Sequence, residues 1–445
     1  MMRIKDKNIA IIGAGLVGSL LSIYFAKMGA KVSVFERRND MRKETDSAGR
    51  SINLALSNRG INALREVGIE KDVMSITIPM YKRIMHSLEG ELTEQYYGKK
   101  DQAIYSVGRR DLNCILMDLA ERKGVKIYFS QQCSDLNFNN NILKFKELGS
   151  LNFDFIFGAD GAGSIVRKKM KQEFSINTEE RFIDCGYKEL TIPANINGQH
   201  IISNKALHIW PRGSFMIIAL PNLDGTFTCT LFFPMKGNNS FESLKDEIGL
   251  IDFFKTNFAD LVPLIPDLSD QYFRNPLASL GLIRCDSWMV NNIALIGDSC
   301  HATVPFYGQG MNAGFEDCFL LYKAMQDFNT FEDFKLKLPS FLKKRKIDTD
   351  AMQELSLYNF IVMRDKTADD KFLLQKKIEA LFSKKHPDKW LPLYSMVTFS
   401  DVPYSHALKI GQKQNLIMEK VMNTPNINKI WDGKEVEDLI LSYLL

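Results

Sequence analysis

The stretch IAIIGAGLVGSLLSIYFAKMGAKVSVFERR, residues 9–38, constrains the fold of this chain more than any other. A short apolar run meets three glycines, Gly13, Gly15 and Gly18, and passes into a helix-spaced apolar segment and a second apolar run ending at Glu36. The pattern reads as strand, tight turn, helix and strand. Gly13 permits the sharp turn, Gly15 lets a backbone approach a pyrophosphate, and Gly18 lets the helix pack closely on the sheet. The helix start adds free amides and a partial positive charge. Glu36 stands where a carboxylate accepts hydrogen bonds from an adenosine ribose.

Residues 8–26 are nearly uncharged and follow a short basic N-terminus, so a membrane helix or signal peptide is the competing reading. The glycines break that stretch into a strand, a turn and a helix, and the soluble reading is preferred. Arg37 and Arg38 suggest the 2′-phosphate of NADP, but Glu36 would repel it. FAD is therefore preferred, with the arginines on its phosphates, its adenine edge or solvent, while the choice between FAD and NAD rests on residues further downstream.

The rest of the composition narrows the function classes. A chain of 445 residues predicts two or three domains. Lys plus Arg, 57, barely exceeds Asp plus Glu, 53, and no long run of like charge is present, so no nucleic-acid partner is expected. The seven cysteines are scattered without a CxxC pair and the six histidines lack HxxxH spacing, so neither a disulfide framework nor a metal site is expected. A reducing cytoplasm fits best.

Three later blocks extend the reading. SVGRRDLNCILMDLA places Arg109 and Arg110 at the start of a helix, where an arginine can meet phosphate. NFDFIFGADGAG runs a buried-looking strand into Asp160, which either caps the next helix or serves a ligand. NIALIGDSCHATVPFYGQGMNAGFED ends a strand at Asp298, placed for a sugar hydroxyl, then loops through Gly308 and Gly310 to a helix from about Met311. The amides of Met311 and Asn312 would face a planar ring and stabilise negative charge on it. Residues 183–290 read as a second sheet, with a half-exposed hairpin around Asp224 and Gly225. The chain after 311 reads as mostly helical, with Asn359 on an apolar stripe with Met352, Leu355 and Val362.

The glycine turn, the GADG block and the GD block together resemble the GxGxxG, DG and GD motifs of single-component flavoprotein aromatic hydroxylases. Within that group GRSINLALSNRG, IPMYKRIMHSLEGE, VPFYGQGMNAGFED, YNFIVMRD and PLYSMVTFSDVPY are similar to the kynurenine 3-monooxygenases over nearly the whole chain. Tyr307 stands where a phenylalanine is expected.

The resemblance implies an α/β fold: a Rossmann-like FAD-binding domain (1–182 and 291–325), an inserted antiparallel β-sheet substrate domain (183–290) and a helical C-terminal region (326–445). It implies bound FAD touching Gly13, Gly15, Val17, Gly18, Phe35, Glu36, Arg37, Arg38, Ala55, Arg109, Asp160, Asp298, Gly310, Met311 and Asn312. It implies L-kynurenine held by Arg83, Tyr97, Asn359 and Tyr394, and hydroxylated with NADPH and O2 through a C4a-hydroperoxide of the flavin. NADPH is expected as a transient co-substrate, since the one dinucleotide fingerprint is taken by FAD; no catalytic acid or base is nominated. The same motifs would also serve another FAD hydroxylase or flavin reductase of this fold with a different substrate wall.

Overall fold

The structure, a computed structural model, describes residues 4–44, 53–97, 101–363 and 369–444. The first residues of the 49–68 segment and Arg364 and Asp365 of YNFIVMRD lie outside them. Among the described residues no helix is long and apolar enough to cross a membrane. The apolar N-terminal stretch is instead the strand Asn8–Ile12, a turn and the helix Leu16–Lys27.

A six-stranded sheet forms the first layer, in the order Met289–Val290, Ile293–Leu295, Phe155–Gly158, Asn8–Ile12, Lys31–Phe35 and Lys126–Tyr128, with only the first pairing antiparallel. Its strands are apolar because both faces are covered, as parallel sheets require. The helix Leu16–Lys27 is buried from Gly18 to Phe25 and packs against the helices Arg109–Arg122 and Gly310–Met325. The turn before it is fixed by sterics. Gly13 has φ +102°, and a Cβ on Gly18 would lie 2.0 Å from the Gly13 carbonyl oxygen.

The second layer is a seven-stranded sheet, antiparallel except for one pair, in the order Ala278–Cys285, Thr178–Ile192, Phe227–Pro234, Met216–Pro221, Ala206–Pro211, Lys82–His86 and Leu92–Tyr96. Its last two strands come from chain read as part of the FAD-binding domain. Lys82–His86 joins by a parallel pairing with Ala206–Pro211, a long-range contact that leaves no local hairpin signal. The hairpin Met216–Pro221 to Phe227–Pro234 turns at Gly225, yet it is not half-exposed. Phe227, Cys229, Leu231 and Phe233 pack under the helices Glu247–Asn257 and Leu268–Arg274, while Thr230 and Phe232 on the other face are also buried.

The strand Lys82–His86 is fastened by a buried polar chain. His86 Nδ1 lies 2.7 Å from Asp260 Oδ2, which accepts from Trp210 Nε1–H at 2.8 Å. His86 Nε2 lies 2.9 Å from His208 Nδ1, and His208 Nε2–H donates to the Ser203 carbonyl at 2.8 Å. A carbonyl only accepts, so neutral His208 carries its proton on Nε2 and leaves Nδ1 as the acceptor.

Two outcomes follow from this packing. Gly18→Ala forces the turn apart and lowers unfolding free energy by ~1–3 kcal/mol, whereas Gly15→Ala, whose Cβ meets nothing within 4 Å, leaves denaturant midpoints near wild type. Burial pushes His208 from 6.5 down to about 4, so the folded state favours the neutral ring. Stability from His208 is therefore complete above its ordinary value and is lost as pH falls from 6.5 towards 4, by at most ~3 kcal/mol. His301 shifts the opposite way, so the measurement is the difference in urea midpoints between wild type and His208→Gln, which shrinks between pH 7.5 and 4.5.

Candidate active site

The glycine turn builds an anion cradle. The Gly13 N–H donates to the Phe35 carbonyl at 2.8 Å, which aims the helix start Leu16–Lys27 outward with its first amides unpaired within the helix. Beside Gly15 there is open space where other residues carry a Cβ. Glu36 lies buried at the strand end, with Oε2 accepting from the Ala14 N–H at 3.0 Å and Oε1 from the Arg38 N–H at 3.0 Å and Nε at 2.8 Å. Burial alone would raise its pKa, but the hydrogen bonds from Arg38 outweigh this and hold the carboxylate below its ordinary value.

The other cofactor candidates fall into two groups. Arg37, Arg109 and Asp298 are exposed, and Ala55 and Met311 are half-buried. The rest are spent on structure. The Phe35 ring stacks on Tyr128 and Phe145 at 5.1 and 4.4 Å. Val17 fills the space left by Gly297 and Gly314. Asp160 Oδ2 accepts from the Ile165 N–H at 2.7 Å, while its Oδ1 is buried without a partner. The Asn312 side chain accepts from the Ser57 N–H at 2.9 Å and donates to the Ala55 and Gly308 carbonyls at 2.8 Å. That clamp fixes Gly308 in the left-handed region at φ +65° and leaves the first amides of the helix Gly310–Met325 facing out.

These features fit a dinucleotide flavin: two helix N-termini with free amides, a buried carboxylate at the end of the second strand, and open space at Gly15 where the chain comes without a side chain.

The four substrate candidates come from distant parts of the chain. Arg83 on the strand Lys82–His86 lays its guanidinium 4.4 Å from the Tyr394 ring centroid and 5.4 Å from that of Tyr97. Tyr97 and Tyr394 stack at 5.4 Å, and Tyr307 stacks on the other side of Tyr394 at 5.5 Å. The Arg83 Nε and the Tyr97 hydroxyl are buried without hydrogen-bond partners. A buried donor left unpaired costs ~1–3 kcal/mol, so this pair is poised for an acceptor such as a carboxylate. Burial pushes the Tyr97 and Tyr307 phenols up, which keeps them protonated as donors. The Asn359 Nδ2 donates to the Phe306 carbonyl at 2.6 Å. Phe306 stacks on Phe360 at 4.2 Å and meets Phe232 at a tilt at 4.9 Å, which makes an apolar wall.

Sequence reasoning missed the residues that hold this wall to the cradle. Gln309, Tyr404, Arg59, Arg345 and His301 are all buried. Only Arg59 and Arg345 gave a signal, as cations on helix faces otherwise destined for the core.

Comparison with known proteins places this geometry in a class. A family model described as "FAD binding domain" matches residues 6–330. Among solved structures, 2-methyl-3-hydroxypyridine-5-carboxylic acid oxygenase superposes with a TM-score of 0.67 at 19% identity, covering 83% of this chain and 96% of that one. P. aeruginosa PqsL in complex with 2-aminobenzoylacetate gives 0.66 at 18%, covering 81% and 97%. The fold is that of the FAD-dependent aromatic hydroxylases. Sequence relatives are nearer. The kynurenine 3-monooxygenase of Flavobacterium johnsoniae is 50% identical, over 98% of this chain and 98% of that protein, and that of Christiangramia forsetii is 49% identical over 99% of each. The chain belongs to the kynurenine 3-monooxygenase family.

Proposed function

We propose that this chain is an NADPH-consuming flavoprotein monooxygenase that hydroxylates L-kynurenine to 3-hydroxykynurenine with O2, in the cytoplasm, where its seven free thiols stay reduced. The observation that carries the reading is the unpaired Arg83 Nε and Tyr97 hydroxyl in an otherwise aromatic cage. An amino-acid substrate brings a carboxylate to pair with the guanidinium and an aromatic ring to lie against the phenylalanine wall.

FAD, once bound, supplies the redox and oxygen chemistry. Residues 13–18 with the following helix start would take its pyrophosphate, Glu36 its ribose, with Arg37, Arg38, Arg109 and Asp298 along its polar length, and the amides of Gly310, Met311 and Asn312 its ring. The cofactor part is residues 1–177 and 289–325 without the strands Lys82–His86 and Leu92–Tyr96, which join 178–285 in the substrate sheet; 326–445 closes the site. NADPH has no domain of its own in this layout and acts as a transient co-substrate. The protein's own contribution is positioning and dryness. Arg83 fixes the amino-acid end of the substrate, the stacked tyrosines fix the guanidinium, and Phe232, Phe306 and Phe360 exclude water from the reacting ring.

A purified sample tests this directly. Kynurenine accelerates NADPH oxidation and 3-hydroxykynurenine accumulates; p-hydroxybenzoate turnover without kynurenine turnover would point to a different hydroxylase. Arg83→Ala weakens kynurenine binding by ~2–5 kcal/mol, read by titration of the holoenzyme, and an unchanged affinity removes Arg83 from the site.

A further inference from the structure

The segment Pro305–Gly310 joins the substrate wall to the helix start that would face the flavin, and three of its residues are gripped from the C-terminal region. The Phe306 carbonyl accepts from Asn359 on the helix Phe331–Ile361. Tyr307 stacks on Tyr394 of the helix Leu393–Phe399. The Gln309 Oε1 accepts from the Tyr404 hydroxyl at 2.9 Å, the first residue of the helix Tyr404–Met422. Gln309 is the residue before the first turn of the helix Gly310–Met325, so whatever holds its side chain sets the direction of the amides that follow.

The Tyr404 contact is built to be rigid. Both partners are sealed from water, Gln309 at 1% and Tyr404 at 0% exposure. The Arg59 guanidinium lies 3.9 Å over the Tyr404 ring and is itself tied to Glu316 and to the Val397 and Val402 carbonyls. Among the described residues the other end of Gln309 reaches the Ser57 hydroxyl alone, at 3.5 Å. Tyr404 thus provides the short, well-placed hydrogen bond on this side chain. It packs in one apolar cluster with Tyr307 and Tyr394, while its hydroxyl is directed to Gln309.

We infer that Tyr404 is a positioning residue: through Gln309 it fixes the start of the helix Gly310–Met325, and with it the direction of the amides that would face the flavin. The inference rests on the proposed function for its substrate and cofactor, but the contact can be tested apart from turnover.

The variant is Tyr404→Phe, which keeps the ring over Arg59 and removes only the hydroxyl; Gln309→Leu removes the other partner. In the FAD-loaded enzyme with kynurenine, amide hydrogen exchange across 305–313 rises about five- to tenfold in either variant, as expected for one lost hydrogen bond. The share of NADPH recovered as 3-hydroxykynurenine falls, kcat falls with it, and kynurenine affinity stays within twofold. The double variant is no worse than either single one, because both delete the same contact. Wild-type exchange and coupling in both variants would overturn the assignment, as would a loss confined to kynurenine affinity. Failure of the wild type to turn over kynurenine sinks the substrate reading instead, while the exchange measurement still decides whether Tyr404 sets the helix start.

Discussion

A buried network of charges is the constraint on which the site depends. Arg345 donates to Asp317 at 2.9 and 3.0 Å and to Glu316 at 3.1 Å, Arg59 pairs with Glu316 on its other side, His301 lies 2.5 Å from Asp317, and Asp348 faces Arg345 at 3.5 Å. Burial works against a charge on His301, but the Asp317 carboxylate outweighs it and raises the pKa. Two guanidinium groups and the His301 ring thus face the carboxylates of Glu316, Asp317 and Asp348. Such a network adds little net stability against an apolar core, yet removing one member leaves an uncompensated charge at a cost of ~3–5 kcal/mol. What it supplies is a fixed relation among the elements it joins: residues 58–66 and 310–325 from the cofactor side, and the long helix 331–361 and the chain around Tyr404 from the other.

That relation matters because neither half of the site is complete alone. The cradle offers amides, a carboxylate and room for a planar group, but no wall for a substrate. The cage of Arg83, Tyr97 and Tyr394 offers a charge and ring faces, but nothing redox-active. The two meet at residues 305–310, which bring Phe306 against Phe360 and Tyr307 against Tyr394 and begin the helix of the cradle. Packing from both sides at once is what keeps water out of such a junction, and Phe232, Phe306 and Phe360 are packed against one another there.

What the sequence encodes locally was legible; what it encodes through long-range pairing was not. The Gly13–Gly18 turn could be read because each glycine answers a steric demand within a few residues of itself. Arg83 by its own context is a surface cation, and becomes a cage residue only because its strand adds in parallel to Ala206–Pro211, more than a hundred residues away. The same pairing moved the boundary of the second sheet back into the N-terminal third. The alternation of Thr226, Thr228 and Thr230 with Phe227, Cys229 and Leu231 predicted a half-exposed hairpin, but Thr230 and Phe232 on the threonine face are buried as well, and Thr226 and Thr228 accept hydrogen bonds from Asn222 at the turn. The network of Arg59, Arg345 and His301 had no motif to announce it, since its members lie on four separate elements.

The motif residues also divide by what their side chains do. Asn312 and Phe35 belong to the blocks that identify the family, yet the amide of one and the ring of the other are fully engaged inside the protein. Asn312 holds Ala55, Ser57 and Gly308 in place so that the amides of its own helix stay free, and Phe35 presents its carbonyl to Gly13. A binding site made of backbone amides needs side chains that shape backbone, not side chains that reach the ligand. Such residues are as restricted as any contact residue, because a change in them tilts every amide of the turn they hold. The cage follows the opposite rule. There Arg83 and Tyr97 keep donors unspent inside the fold, at a cost in stability that a bound carboxylate would recover.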